Sequence, residues 1–184
     1  MTLIYLVQHG DKERVAGDPG LTALGARQAA VTARCLQERG LRALYSSPLR
    51  RAQETAAPIA SATGLPVQLE TRLRERLNWD GSQPFDAFLA DWDRSTRDRD
   101  FVLGNGESSR SAGERMLAFL AGLAGRPGPI AAVSHGGATM DLLRTLLGDD
   151  ALSPQLLDQG IPACAITTLD DLGVAAIASA AHLT

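Results

Sequence analysis

Aromatic side chains, cysteines and histidines are scarce in this 184-residue chain: aromatics make up 4% of it, and it has two cysteines and three histidines. No apolar stretch approaches the roughly 18 residues of a membrane-spanning helix, and the first residues lack the basic and apolar regions of a secretory signal. A formal net charge of −3 offers no basic surface to nucleic acid or to an anionic membrane. The sequence therefore predicts a cytoplasmic protein that binds neither nucleic acid nor membranes.

The two cysteines, Cys35 and Cys164, lie far apart and form no CxxC motif. They do not make a disulfide framework, so small buried thiols in a reducing compartment are expected. No Asp and His residues cluster at the spacing of metal ligands. We therefore expect neither a metal nor another cofactor.

The chain has the composition of a globular protein, with 45% hydrophobic and 21% charged residues. Its length predicts a single domain over residues 1–184. Short β-type runs alternate with helical patterns, which is typical of an α/β fold. We predict a three-layer α/β/α sandwich around a mostly parallel central sheet.

The elements of this fold can be placed from hydrophobic periodicity and from the residues that begin and end helices. Predicted strands are Leu3 to Val7, Ala43 to Tyr45, Val67 to Leu69 and Ile130 to Val133, followed by an antiparallel edge hairpin of Ala163 to Leu169 and Val174 to Ala180 that turns at Asp170-Asp171-Leu172-Gly173. Predicted helices run from Thr22 as N-cap to Arg39, from Ser47 as N-cap with Pro48 at the first helical position to Gly64, from Pro84 to Asp93, from Ser111 to Leu123, and from the second His-Gly turn to about Gly148. Pro58 predicts a kink or an early end in the second helix.

Two of the predicted strands end in the same way, with a histidine followed by glycine: VQHG at His9 and VSHGG at His135. Ligands of open α/β sheets lie beyond the carboxyl ends of the strands. Glycines there, Gly10 and Gly136, let the backbone approach a bound group, and the helix after the second motif adds the positive end of its dipole. The pair predicts an anion site, whereas His182 lies in the tail and is expected to be solvated.

Three motifs in order, LVQHGD, YSSPLRRAQETA and VSHGG, resemble the histidine phosphatase superfamily, also called phosphoglycerate mutase-like. The resemblance runs from Leu3 to about Leu147. It implies a cofactor-independent phosphomonoester hydrolase that acts through a phosphohistidine on a small phosphorylated metabolite. Such catalysis divides one difficult displacement into two easier ones.

The resemblance also implies roles for three residues. His9 matches the nucleophile, His135 the second histidine that donates hydrogen bonds to the phosphate when protonated, and Arg51 the cation of the middle motif. Arg51 can be argued independently, because a guanidinium in the first turn of a helix shares its anion with the helix dipole. Arg50 points about 100° away around the helix and is expected to be solvated, whereas Gly10 and Gly136 are expected to bind the substrate.

The leaving oxygen needs a proton near neutral pH, so a carboxyl group is expected as general acid. The family places it in a Leu-x-Glu pattern after the third strand, which makes Glu75 the candidate; the alternative is a surface ion pair with Arg72 or Arg76. Asp11 is a second candidate that we expect to be structural.

The segment 78–105 is irregular in pattern and is expected to face the substrate. Trp79 and Trp92 bracket it, either as partly buried core residues or as a wall of the substrate pocket. Glu107 is expected to cap the following helix and to pair with Arg115.

Gln8 departs from the family pattern, which has Arg before the nucleophile. Its amide can still donate to a phosphate oxygen, but a unit charge ~4 Å from another is worth about 4 kcal/mol at an effective dielectric of ~20. The missing cation would also leave the pKa of His9 higher than an Arg would, and so place the activity optimum at higher pH than in Gln8→Arg. Candidates to supply the charge are Lys12, Arg14, Arg72 and Arg110.

Two other functions stay open at this stage. A catalytically weak relative that binds a phosphorylated ligand or partner is one, because of Gln8. A mutase is the other, although the segment between Glu75 and Gly106 has little room for the insertion with which mutases enclose their substrate. The identity of the substrate and the oligomeric state are not readable from the sequence.

Overall fold

The computed structural model describes residues 2–102, 104, 106–171 and 173–184. Within these residues six strands form one sheet: β1 (Ile4–Gln8), β2 (Ala43–Ser46), β3 (Val67–Leu69), β4 (Ile130–Ser134), β5 (Ile166–Asp170) and β6 (Gly173–Ser179). Their order across the sheet is β3-β2-β4-β1-β5-β6. The first four strands run parallel, and β5 and β6 add an antiparallel edge. The predicted edge hairpin is confirmed, although Leu172 of its turn lies outside the described residues.

Helices cover both faces of the sheet. They are α1 (Ala23–Gln37), α2 (Arg50–Thr63), α3 (Phe85–Arg97), α4 (Ser109–Ala121), α5 (Gly136–Leu147) and the short α6 (Pro154–Gln159). Apolar side chains of α1 and α2 pack on one face of β1, β2 and β4, and those of α4 and α5 pack on the other. The predicted three-layer α/β/α sandwich is confirmed.

The start of α2 differs from the prediction. Ser47 and Pro48 precede the helix, and the Ser47 hydroxyl accepts a hydrogen bond from the N–H of Leu49 at 3.3 Å. This local turn uses the side chain that was expected to cap the helix, so α2 begins at Arg50. Pro58 lies inside α2 without ending it, since the helix continues to Thr63 and closes at Gly64 with a φ of 71°.

Two other helix boundaries move. The third helix extends beyond the predicted end at Asp93 to Arg97, and an ion pair between these two residues spans its last turn. The fourth helix begins at Ser109 and not at the predicted Ser111. Its N-cap is Ser108, whose hydroxyl accepts a hydrogen bond from the N–H of Ser111 at 3.2 Å. The Thr22 cap of α1 is as predicted, with the N–H of Gly25 donating to its hydroxyl at 3.1 Å.

His182 was expected to be solvated, but it is partly buried. A short helical turn over Ala181–Leu183 packs beside α1, and the Nε2 of His182 lies 2.9 Å from the Thr32 hydroxyl. Both cysteines are free thiols, Cys164 buried and Cys35 partly so. In the described part of the chain, no helix combines the length and apolarity needed to cross a membrane.

The site is positioned by the two central strands. Gln8 pairs with Ser134 in the parallel register of β1 and β4, so the residues that follow them leave the sheet side by side. The N–H of His9 donates to the carbonyl of Ser134 at 3.1 Å. Adjacent parallel strands thus bring His9 and His135 to one edge of the sheet.

Candidate active site

The two strand-end histidines meet. The ring centroids of His9 and His135 are 5.2 Å apart in an edge-to-face arrangement with an interplanar angle of 61°. His9 is 7% exposed and His135 is fully buried. The juxtaposition predicted from the two His-Gly turns is present in the structure.

The hydrogen bonds of His9 define its tautomer. Nδ1 lies 2.7 Å from the carbonyl oxygen of Gly10, and because a carbonyl only accepts, Nδ1 carries the proton. The lone pair is therefore on Nε2, where the Nε–H of Arg51 donates to it at 3.1 Å. His9 is held as the tautomer that has its proton on Nδ1 and its lone pair on Nε2.

Burial keeps both rings neutral. It lowers the pKa of His9 to about 3, helped by the charge of Arg51, and it lowers the pKa of His135 well below its usual range for the same reasons. The protonated His135 expected from the resemblance therefore requires the negative charge of a bound phosphate. A His9 pKa of about 3 leaves the ring neutral above about pH 4. The difference in pH optimum expected between this protein and Gln8→Arg is therefore restricted to the acidic side of the pH–rate profile.

Arg51 is buried in the first turn of α2 and held by two groups that sequence reasoning missed. Its Nη2 donates to the side-chain oxygen of Asn78 at 2.8 Å, and Nη1 lies 3.7 Å from an Asp18 carboxylate oxygen. Arg50 is exposed and pairs with Glu54, as expected for a solvated charge. Asn78 and Asp18 come from distant loops, so no local sequence signal identifies them.

Among the residues that the structure describes, three buried polar atoms around the site lack a hydrogen-bond partner: Gln8 Oε1, Arg51 Nη1 and His135 Nδ1. A buried polar group left unpaired costs about 1–3 kcal/mol. The other nitrogen of His135 is paired, since Nε2 lies 2.7 Å from the Ser47 hydroxyl. Unpaired groups gathered at one place are typical of a site that a polar ligand completes.

Glu75 lines the cavity that His9 and Arg51 also line, and it does not face a surface arginine. One carboxylate oxygen accepts from the N–H of Gly137 at 3.0 Å, and the other accepts from the N–H of Arg76 at 2.9 Å. Arg72 pairs with Glu70, and the Arg76 guanidinium pairs with Asp141. The surface ion pair considered for Glu75 is therefore wrong, and two backbone donors hold the carboxylate at the start of α5.

The two strand-end glycines have different roles. Gly136 lines the cavity, as expected for a substrate contact. The N–H of Gly10 donates to the Thr55 hydroxyl at 3.0 Å, and a Cβ at Gly10 would lie 2.6 Å from the carbonyl oxygen of Gly25. The expectation that Gly10 contacts the substrate is corrected: this glycine allows the loop to pack on α1.

Of the four cations considered as sources of the charge missing at position 8, two line the cavity. Lys12 and Arg14 do so, whereas Arg72 pairs with Glu70 and Arg110 with Asp100. Lys12 is the only lysine in the chain. Its pKa is lowered by burial and by the neighbouring charges of Arg51 and Arg14, so Lys12 lies near two other cations that line the cavity.

The carboxylates of Asp11 and Glu107 have structural roles, as expected. Asp11 accepts a hydrogen bond from the Thr22 hydroxyl at 2.7 Å and so fixes the start of α1. Glu107 pairs with Arg115 as predicted and also lies 3.3 Å from Arg74. Because Ser108 is the N-cap of α4, the expected capping role of Glu107 is wrong.

The cavity has a volume of about 290 Å³ and a polar end and an apolar end. Gln8, His9, Lys12, Arg51, Glu75 and Gly136 form the polar end. The apolar end comes mainly from the segment 78–105, of which Leu103 and Asn105 lie outside the described residues. Trp79 and Trp92 both line it, so they are walls of the pocket. In the described ranges, no group of three or more His, Cys, Asp or Glu residues is placed to hold a metal ion.

A sequence profile described as "Histidine phosphatase superfamily (branch 1)" matches residues 4–173. The chain belongs to this superfamily. The resemblance seen in the three motifs is thereby confirmed, as is the prediction of a phosphatase-type enzyme.

Relatives of this chain differ in the activity that their names state. A probable phosphoglycerate mutase of Yersinia pestis is 35% identical over 165 residues, covering 80% of this chain and 76% of the relative. The structure of a mycobacterial glucosyl-3-phosphoglycerate phosphatase with inorganic phosphate has a TM-score of 0.79 and 26% identity, covering 99% of both chains. An Entamoeba histolytica phosphoserine phosphatase with 3-phosphoglyceric acid, at 24% identity, full coverage of both chains and a TM-score of 0.78, shares the fold.

Proposed function

We propose that this protein is a cofactor-independent phosphomonoester hydrolase that acts on a small phosphorylated metabolite through a phosphohistidine at His9. The observation that carries the proposal is the arrangement of His9, whose Nε2 lone pair is held beside Arg51 on the wall of an open cavity. The mycobacterial phosphatase of similar structure, solved with inorganic phosphate and with VO3, supports it.

In the first step, Nε2 of His9 attacks phosphorus and the bond from phosphorus to the ester oxygen breaks. The departing oxygen takes a proton from the carboxyl group of Glu75, which must be protonated at this stage. Arg51 exchanges its hydrogen bond to Nε2 for the phosphate oxygens, where its charge stabilises the transferring group. The products are a free alcohol, a phosphohistidine and the Glu75 carboxylate.

In the second step, water attacks phosphorus and the bond from phosphorus to Nε2 breaks. The Glu75 carboxylate accepts the proton of this water, which restores its starting state. His135 and the helix dipole of α5 stabilise the phosphate charge. Inorganic phosphate leaves, and His9 returns to the neutral tautomer that Gly10 maintains.

Lys12 supplies the positive charge that the family places one residue before the nucleophile. Lys12 and Gln8 both line the polar end of the cavity, and the charge of Lys12 contributes to lowering the pKa of His9. Gln8 then contributes an amide and not a charge. The repulsion among Lys12, Arg14 and Arg51 is relieved when a phosphate binds between them.

The test of the proposal is hydrolysis of an aryl phosphate by the wild type and by His9→Ala, with His182→Ala as the matched histidine control. We expect phosphate release from the wild type and the control, and loss of at least about 1000-fold in His9→Ala because the nucleophile is gone. Acid quenching with ³²P-labelled substrate should label wild-type protein only. Release that persists in His9→Ala would contradict a His9 intermediate.

Two outcomes of this assay point to the other functions. Tight binding of phosphate without release would favour a ligand-binding relative, which Gln8 suggests. Isomerisation of 3-phosphoglycerate in excess of phosphate release would favour a mutase, which the name of the Yersinia relative suggests.

A further inference from the structure

The apolar end of the active-site cavity is built from one stripe of α3. Its residues Phe85, Phe88, Leu89 and Trp92 follow the i, i+3, i+4, i+7 spacing of one helix face and all line the cavity. In this helix the described residues include one buried member, Ser95. The stripe of α3 therefore faces the cavity and contributes little to the core.

Aromatic rings are concentrated on this wall. Of eight aromatic residues in the chain, four lie here in a continuous series. The distances between successive ring centroids are 5.1 Å from Trp79 to Phe85, 6.3 Å from Phe85 to Phe88 and 6.0 Å from Phe88 to Trp92. The guanidinium of Arg76 stacks on the Trp92 ring at 4.1 Å. This buried arginine holds the ring that, like the Glu75 carboxylate, lies beside Gly137.

The wall is incompletely covered. Leu89 is 46% exposed, Phe85 39% and Val15, which faces them from the loop after β1, 53%. Exposed apolar side chains that converge on a cavity indicate an apolar ligand, whereas scattered ones do not. Asn78, which also lines the cavity, is already bound to Arg51.

We propose that this apolar wall binds the ester group of the substrate, and that the substrate is the phosphate monoester of a bulky apolar alcohol. The inference rests on the proposed function, because it seats the phosphate at His9 and Arg51 and directs the ester group away from them. The cavity volume of about 290 Å³ suits a small molecule and not a polymer. A sugar acid would leave its hydroxyl groups unpaired against the α3 wall.

The experiment compares two phosphate esters that differ in apolar surface but have leaving groups of similar basicity: 2-(2-naphthyl)ethyl phosphate and ethyl phosphate. We expect kcat/KM to be at least about 10-fold higher for the naphthylethyl ester, since its apolar surface leaves water on binding. Phosphoserine and 3-phosphoglycerate are measured alongside. We expect both to be poorer substrates than the naphthylethyl ester.

Two substitutions test whether the α3 wall is responsible. Leu89→Ser and Phe85→Ser should each reduce the ratio of the two kcat/KM values at least about 3-fold. Their matched controls are Leu24→Ser on α1, where Leu24 is 48% exposed, and Leu117→Ser on α4, where Leu117 is 38% exposed. Since all four side chains are partly solvated, the variants should fold, and the controls should leave the ratio unchanged.

The outcomes separate this inference from the proposed function. Equal kcat/KM values for the two esters, with hydrolysis that His9→Ala abolishes, would overturn the apolar ester group and leave the hydrolase intact. A preference for phosphoserine or 3-phosphoglycerate over the naphthylethyl ester would overturn it in the same way. Absence of His9-dependent hydrolysis for every ester would overturn the proposed function, and this inference with it.

Discussion

At the scale of single residues, the unusual feature is an uncharged side chain next to the expected nucleophile. Gln8 is buried beside Gly136, and within the described part of the chain its Oε1 has no hydrogen-bond partner. We propose that the charge that the family places here is supplied in this chain by Lys12, three residues after His9. A lysine is a compact charge on a flexible stem, whereas Gln8 is confined by the backbone around it.

Removal of the Lys12 charge should reduce catalysis. We expect Lys12→Met to lower kcat/KM for an aryl phosphate by about 10- to 100-fold, because one cation facing the transferring phosphoryl group is lost. The double variant Gln8→Arg/Lys12→Met should recover most of this loss, since it restores a cation one residue before His9. Steady-state kinetics of the four proteins in this cycle measure the coupling.

Arg14→Met is the control, because it removes a neighbouring cation of the same cavity. Gln8→Arg should rescue Arg14→Met less than it rescues Lys12→Met. Equal rescue of both variants would show that the added arginine raises the local potential in general. No rescue of Lys12→Met would contradict the assignment of Lys12.

At the scale of elements, the start of α5 does the positioning. The N–H of Gly137, in its first turn, holds the Glu75 carboxylate. A Cβ at Gly137 would lie 2.6 Å from that carboxylate and 2.7 Å from the Trp92 ring. The absence of a side chain at Gly137 therefore lets Glu75, the proposed general acid, and the aromatic wall lie side by side.

Gly137→Ala should displace Glu75 and leave the fold in place. Alanine favours a helix over glycine by up to about 1 kcal/mol, so the melting temperature should change little. We expect kcat to fall about 10-fold or more, because the acid moves away from the leaving oxygen. An aryl ester with a leaving group that needs no proton should lose less activity than an alkyl ester. Equal losses for both esters would contradict a proton-donating Glu75.

At the scale of the whole molecule, the fold keeps two neutral histidines in its interior. Burial sets the pKa of His9 at about 3, whereas its ordinary value is 6.5. Between these values the unfolded chain binds a proton that the folded chain does not. Stability therefore falls as the pH drops below 6.5.

His9 alone should lower the free energy of unfolding by about 2.5 kcal/mol between pH 7 and pH 4.5. Urea unfolding at both pH values measures this difference for the wild type and for His9→Gln. The difference should be smaller in His9→Gln by about that amount. His182→Gln should change it less, because His182 is only half-buried. The same pH dependence in His9→Gln as in the wild type would show that His9 is not held neutral.

Local patterns determined much of this protein. The continuous apolar runs of β1 and β4, the Thr22 cap and the two His-Gly turns each depend on a few adjacent residues, so the α/β order and the meeting of His9 with His135 followed from the sequence. The hydrogen-bond partners of a side chain were less predictable. The Ser47 hydroxyl, expected to cap a helix, bonds instead to the nearby N–H of Leu49 and to His135, which is distant in sequence.

Only the tertiary structure decided the surroundings of these residues. Asn78 and Asp18 reach Arg51 from loops distant in sequence, Gly25 occupies the space beside Gly10, and α3 turns its aromatic stripe towards the cavity. The physical reason is that periodicity shows which face of a helix is apolar but not which surface covers it. For α3 that surface is the cavity beside His9 and Arg51, and the apolar ester group that we propose for the substrate follows from this packing.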